Sequence, residues 1–318
     1  MITKNLQLAI DLLMAGKLVA IPTETVYGLA ANGFSGAAVA GIFQAKNRPQ
    51  FNPLILHSNS IARFKEWGIE IPEEALLLAE KFSPGPITFV VPKSELIPDL
   101  VTAGHNSVAI RIPNHPLTLE LLRQLPFPLA APSANKSGSI SPTQAKDVEE
   151  QFGDEIAAVL EGGPCTIGLE STIISFMGNH PKLLRLGGLS LEAIEEILGK
   201  SLDQTKLINN ENPEAPGMLS RHYAPKTPLY INEAILHLTE AKFSEMVYIG
   251  FKLPHAEIPL SNQIILSRTG NFAEAAQNLF GALRQADKMK QKLIIANLLP
   301  EENLGRAIND RLRRAAVK

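Results

Sequence analysis

Apolar positions along this chain switch between two periods. Leu6, Ile10 and Leu13 recur at helical spacing as far as Gly16, and Leu18-Val19-Ala20-Ile21 then runs unbroken, the pattern of a short buried strand. Val26–Ala31 reads as a second strand, and the small-residue stretch from Gly36 to Ala45 as a helix that delivers the chain to Lys46. Further strands are predicted at 54–57, 87–91, 107–112, 128–131, 157–161, 171–176 and 183–186, with helices near 73–82, 116–124, 143–151 and 190–198. This mixture predicts an α/β mixed-sheet domain that ends near Lys200.

Residues 201–227 break the pattern. Asn209-Asn210-Glu211-Asn212-Pro213-Glu214-Ala215-Pro216-Gly217 is polar, carries Pro and Gly and has no period, which marks a linker. Beyond it, strands at 228–231, 246–249, 263–266 and 292–296 alternate with helices at 271–288 and 303–316, as in a small parallel, Rossmann-like sheet. That region lacks G-x-G-x-x-G, so no dinucleotide site is expected in it. The expected organisation is a catalytic domain over 1–200, a linker or lid over 201–227 and a smaller domain over 228–318.

The composition, with 45% hydrophobic and 19% charged residues, is that of an ordinary globular protein. No apolar run approaches the roughly 18 residues of a spanning helix, and the start of the chain leads into an amphipathic helix, so a cytoplasmic location with no membrane partner is expected. Cys165 stands alone, which excludes an intramolecular disulfide and a multi-cysteine zinc site. Residues 1–200 carry 15 Lys/Arg against 20 Asp/Glu, a balance that argues against general nucleic-acid binding, whereas 201–318 carry 15 against 12. The cationic tail Arg306, Arg311, Arg313, Arg314, Lys318 is read as a solvated helix face.

Against that acidic background, Lys46-Asn47-Arg48-Pro49-Gln50-Phe51-Asn52-Pro53-Leu54-Ile55-Leu56-His57 is a local anion site. Lys46 and Arg48 would project on the same side of an extended backbone, and Pro49 favours that conformation at Arg48. Ser133-Ala134-Asn135 repeats the i, i+2 arrangement with neutral hydrogen-bonding groups, and the two loops suggest one polar pocket. Pro22-Thr23-Glu24-Thr25-Val26-Tyr27-Gly28-Leu29 adds two hydroxyls and a carboxylate between strands, where threonines capping a turn are the plainer reading.

Taken together, Pro22–Leu29, Lys46-x-Arg48, Ser133-x-Asn135, Gly162-Gly163, Leu169-Glu170-Ser171-Thr172 and Arg185-Leu186-Gly187 closely resemble the YrdC-like L-threonylcarbamoyladenylate synthase family. Pro216-Gly217-Met218, Arg221-His222-Tyr223-Ala224-Pro225 and the tail Gly305–Arg313 resemble its long two-domain form, although Leu219-Ser220 departs from the family's usual aromatic before Arg221. The resemblance implies a YrdC-like twisted mixed sheet with an open cleft, followed by the Rossmann-like domain. It implies a reaction of L-threonine, bicarbonate and ATP that yields threonylcarbamoyl-AMP and pyrophosphate. Mg²⁺ would arrive on the ATP, with no dedicated metal ligands. The product would pass to tRNA threonylcarbamoyl-transferase proteins, and direct tRNA binding is left open.

The resemblance also distributes roles. Lys46, Arg48, Ser133 and Asn135 would be catalytic; Arg48, Asn52, Ser107, Ser133, Ser141, Arg185 and Tyr223 would bind ATP; Thr25, His57, Arg111, Ala131 and Ser171 would bind threonine. Several positions keep a plainer reading. Arg111, alone in an apolar strand, suits either a ligand carboxylate or an internal salt bridge. His57 by itself is an ordinary structural histidine, and only the resemblance makes it a ligand. Ser141, ahead of Pro142, has the look of a helix N-cap, which is compatible with binding phosphate. Lys136 is either a further cation of the site or a surface charge, and Cys165 is a packing residue. The Arg221-His222-Tyr223 segment has the composition of a lid, so truncation after residue 200 would weaken ATP retention. A YrdC-like RNA-binding module without catalysis is the rival reading; a carbamoyl-transfer maturation enzyme would need more cysteines, and no G-x-x-x-x-G-K-[ST] supports P-loop chemistry.

Overall fold

The computed structural model describes residues 1–204, 213–218, 222–231 and 241–317. In chain order it contains β1 (Ile2–Thr3), α1 (Leu6–Met14), β2 (Val19–Ile21), β3 (Gly28–Asn32), α2 (Gly36–Lys46), β4 (Ile55–His57), α3 (Ile61–Glu66), α4 (Glu73–Phe82), β5 (Ile87–Pro92), α5 (Asp99–Thr102), β6 (Ser107–Arg111), α6 (Pro116–Gln124) and β7 (Leu129–Ala130). There follow α7 (Ala145–Phe152), β8 (Ala158–Leu160), β9 (Thr172–Ser175), β10 (Lys182–Arg185), α8 (Leu191–Leu198), β11 (Leu229–Ile231), β12 (Met246–Gly250), β13 (Gln263–Ile265), α9 (Phe272–Lys288), β14 (Leu293–Ala296) and α10 (Gly305–Ala315).

Ten strands form one mixed sheet in the order β1-β8-β2-β3-β7-β4-β6-β5-β9-β10. The centre matters most for the site. β4 runs parallel to β6, with Ile55 opposite Ala109 and His57 opposite Arg111, and β7 lies antiparallel on the other side of β4. The central strands bury both faces, which is why their sequences run almost continuously apolar instead of alternating. The second sheet, β11-β14-β12-β13, is wholly parallel, as the βα alternation predicts.

The predicted strands from 18–21 onwards and the longer helices occur within a residue or two of their expected limits. β1, α3 and α5 were not foreseen, because two- to six-residue elements are too short to display a period. Two expectations are corrected. Ser141 does not cap α7: the N-cap is Gln144, and Asp147 accepts from the backbone N–H groups of Thr143 and Gln144 at 3.1 and 3.2 Å, so the acid three positions on sets the helix start. Lys46 and Arg48 do not share an extended segment either. Lys46 ends α2, and Asn47 caps it in the left-handed region at φ 50°, a conformation Asn tolerates.

The cationic tail is also corrected, since α10 is no solvated stripe. Arg311 and Arg314 are buried, 0% and 3% exposed, beside Asp310. The two sheets do not stand apart. Val26, Ile140 and Leu169 pack into the same apolar cluster as Tyr223, Leu279, Phe280, Ile308 and Leu312.

Candidate functional site

A small cavity, about 50 Å³, opens between the first sheet and the linker. Arg48, His57, Arg111, Ala131, Ser133, Glu170 and Arg185 line it on the sheet side, and Pro216, Gly217, His222 and Tyr223 line it on the linker side. Asn135, Ser141, Ser171, Thr25 and Asn52 are buried around it without lining it. Ser107 sits at the opposite end of β6 from Arg111, in register with Pro92, roughly 13 Å along the strand.

Lys46 is where the two predicted loops meet. Its Nζ donates to the Ser133 carbonyl at 2.6 Å and to the Asn135 carbonyl, although the serine and asparagine lie some 90 residues further on. Burial and the charges of Arg48 and Lys136 pull its pKa well below the usual lysine range. Arg48 is anchored to the same loop, its Nε donating to Asn52 O at 3.1 Å and its Nη2 to Pro53 O at 2.8 Å. Burial and Arg185 lower Arg48 to about 9. Guanidiniums do not give up their protons in proteins, so Arg48 stays charged, with backbone carbonyls as its hydrogen-bond partners.

The threonine-side candidates gather at the ends of β4 and β6. Arg111 has an internal partner after all: its Nη2 donates to Glu24 Oε1 at 2.7 Å and to Thr25 Oγ1 at 2.9 Å. Glu24 Oε2 accepts from the Asn114 N–H at 2.9 Å, so the carboxylate clamps Arg111 to the segment after it. The plainer reading of Pro22–Leu29 holds for Thr23, whose hydroxyl donates to Val26 O at 2.6 Å and accepts from two backbone N–H groups. His57 Nδ1 lies 3.1 Å from Ile55 O, and burial together with Arg111 lowers its pKa to about 3, so the ring is neutral at neutral pH.

On the other wall, Arg185 reaches across to Ser171 and to the linker carbonyl of Pro216 at 3.0 Å. Burial lowers its pKa to about 10, against the opposing pull of Tyr223 and Glu170. Ser171 Oγ is also 2.7 Å from Thr88 Oγ1. Ser141 Oγ donates to Glu170 Oε1 at 2.7 Å, which spends the hydroxyl expected to meet phosphate. Burial alone would raise the Glu170 carboxyl, but Arg311, Arg185 and Ser141 hold it at about 2.

The linker half of the wall was only partly foreseen. Tyr223 sits at φ 65°, almost wholly buried, stacked on Phe280 with centroids 5.4 Å apart and in edge contact with His222 at 4.0 Å. Burial, then Glu170 among its neighbours, raises the Tyr223 phenol to about 12 even though Arg311 opposes this. The His222 ring is lowered to about 3, by burial first. Gly217, at φ 85°, could not be another residue without cost, since a Cβ there would lie 2.8 Å from Arg185 Cδ. Leu219, Ser220 and Arg221, part of the anticipated lid, fall outside the described residues, as do residues 205–212.

Two minor expectations resolve. Lys136 donates to Ala45 O at 2.7 Å and pairs with Glu155, so it braces α2 and contributes no free cation. Cys165 is buried, with its thiol pushed up to about 12, as suits a packing residue. Sequence reasoning gave no site role to Glu24 or Glu170, whose signal was an acid set inside a largely apolar motif, and it read Arg311 and Arg314 as a solvated helix face.

Comparison with known proteins agrees with this geometry. A family model described as telomere recombination, spanning Sua5, YciO and YrdC, matches residues 11–187, and a model of the threonylcarbamoyl-AMP synthase C-terminal domain matches 189–317. The threonylcarbamoyl-AMP synthase of Pyrococcus abyssi is 40% identical over 98% of this chain and 94% of its own. That of Bacillus subtilis is 40% identical over 97% of this chain and 92% of its own. The crystal structure of P. abyssi Sua5 complexed with L-threonine superposes with a TM-score of 0.90 at 40% identity, covering 98% of this chain and 94% of that one. With its fold, its buried cation-lined cavity and both halves matched in order, the chain belongs to the threonylcarbamoyl-AMP synthase family.

Proposed function

We propose that this protein condenses L-threonine, bicarbonate and ATP to threonylcarbamoyl-AMP and pyrophosphate, for tRNA threonylcarbamoyladenosine modification. The observation that carries the proposal is the convergence of Arg48, Arg111 and Arg185 on one cavity shared with the neutral His57 and closed by the linker. Three guanidiniums around one cavity, Arg111 and Arg185 buried and Arg48 half-buried, with Glu24 pairing Arg111 alone, call for anionic ligands, and a carboxylated amino acid and a triphosphate supply them.

In this reading the threonine amine attacks the carbon of bicarbonate, with loss of water, to give an N-carboxylate. An oxygen of that carboxylate then attacks the α-phosphorus of ATP, and pyrophosphate leaves. Arg111 takes the threonine carboxylate, preorganised by its clamp to Glu24. Ala131 gives the methyl a small apolar wall, while His57, Thr25 and Ser171 supply the polar surround of the hydroxyl. Arg48, Asn52 and Lys46 receive the phosphates, with Ser133 and Asn135 orienting Lys46 through their carbonyls. An arriving anion restores the lysine towards its ordinary pKa. Arg185 and Tyr223 close the adenylate side, with Ser141 behind Glu170 and Ser107 at the far end of β6. Positioning and electrostatic stabilisation supply most of the rate.

No group of three or more His, Cys, Asp or Glu able to hold a metal occurs among the described residues. The site fits Mg²⁺ delivered with ATP, where it would neutralise phosphate charge; Asn52 Oδ1, buried and without a hydrogen-bond partner among the described residues, would be available to hold it. No helix among the described residues is long and apolar enough to cross a membrane, and we infer a cytoplasmic enzyme whose labile product passes to a tRNA threonylcarbamoyl-transferase. We read 1–200 as the catalytic domain, 201–227 as its lid and 228–318 as the C-terminal domain.

The test is pyrophosphate release from ATP and bicarbonate with threonine, with serine and with neither. Threonine-dependent release is expected, and release indifferent to the amino acid would overturn the reading.

A further inference from the structure

Glu170 is the one acidic residue on the cavity wall among the described residues, facing a space lined by arginines and meant, on the reading above, for a triphosphate. A bare carboxylate there would repel the ligand. Its counter-charge comes from the far end of the chain. Arg311, on the last helix, is 0% exposed, and its Nε donates to Glu170 Oε2 at 2.9 Å. The rest of the guanidinium is fully engaged: Nη2 donates to Leu186 O at 2.8 Å, Nη1 to Asp310 Oδ2 at 2.6 Å, and its Cζ lies over the Tyr223 ring, 5.2 Å from the centre. Arg314, one turn on, donates from Nη1 to Gly217 O at 2.6 Å, and its own carbonyl accepts from the His222 N–H at 3.2 Å. Both linker segments that line the cavity are thus tied to α10.

We propose that Arg311 is a positioning residue of the nucleotide side of the site, cancelling the charge of Glu170 and supporting Tyr223, so that the C-terminal domain completes the ATP pocket. The inference rests on the synthase reading. Arg311 touches no ligand and acts through Glu170 and Tyr223. Removing it leaves Glu170 buried, half-satisfied by Ser141 and turned against the incoming phosphates.

The experiment uses the full-length chain and measures ATP binding by calorimetry, the KM values for ATP and threonine, and the melting temperature. Arg311→Met is expected to weaken ATP binding by about tenfold or more, with the threonine KM changed far less. Glu170→Gln alone, which leaves Arg311 its Asp310 partner, is expected to weaken ATP binding far less than Arg311→Met does. The double variant Glu170→Gln with Arg311→Met is expected to recover most of the lost affinity, because no unpaired carboxylate remains. Should Arg311→Met fail to fold, the double variant and Arg311→Lys carry the test, the lysine retaining the charge and ATP binding closer to wild type. A lower melting temperature with unchanged ATP affinity, or no recovery in the double variant, would overturn the proposal. A wild type that binds ATP but releases pyrophosphate without regard to threonine would overturn the synthase reading alone.

Discussion

Arg185 holds Ser171 at three points: Nε and Nη2 donate to its carbonyl at 3.0 and 2.8 Å, and Nη2 also reaches its hydroxyl at 3.1 Å. On the proposed function one of these residues serves the nucleotide and the other threonine, so the two subsites would share a buried joint. Arg185→Lys keeps the charge and loses the fork. Steady-state kinetics should show KM rising for both substrates, by about tenfold or more for the loss of a charged hydrogen bond. A rise confined to ATP would separate the subsites again.

Lys46 is a buried cation and Arg48 a half-buried one, and neither is paired with a carboxylate among the described residues. Lys46→Ala or Arg48→Ala should lower threonine-dependent pyrophosphate release on the order of a hundredfold or more, as for loss of a preorganised electrostatic group. Circular dichroism should show the fold retained, and near-normal turnover in either variant would remove the central assignment.

Gly217 lies in the left-handed region with Arg185 against its α-carbon. Gly217→Ala should cost roughly 1–3 kcal/mol of stability, the range for enforced backbone strain, and weaken ATP binding by displacing Arg185. Denaturant titration and calorimetry check the two effects separately.

His57 titrates at about 3 when folded and near 6.5 when unfolded. The unfolded chain therefore takes up the proton first, and the stability tied to the neutral ring is present above pH 6.5 and lost as the pH falls from 6.5 towards 3. Between pH 7 and 5 the unfolding free energy of the wild type should fall more steeply than that of His57→Gln. Parallel curves would mean that the ring is solvated.

Much of this molecule is legible in its sequence, because strands buried on both faces print long apolar runs and helices print their period. The cationic loop, the Ser133-x-Asn135 cluster and the lone Arg111 were visible as chemistry out of place. Their partners were not. Nothing in the residues around Glu24 says that it will meet Arg111 87 positions away, and Arg311 and Arg314 carry the pattern of a solvated helix face until the Glu170, Asp310 and Gly217 contacts bury them. The geometry at Lys46 was misjudged for a local reason: a left-handed Asn47 turns the chain where two extended residues were expected. Pairings distant in sequence leave no periodic trace, and buried charge is where reading by hydropathy fails.

Arg311 stands 141 positions after the carboxylate it neutralises. A ribosome therefore makes the strands that carry the cavity's cations well before the residue that offsets Glu170. On the proposal above, a chain cut between the linker and residue 311 would keep Glu170 and lose its counter-charge, so its ATP affinity would fall although every cavity-lining residue of the sheet remained.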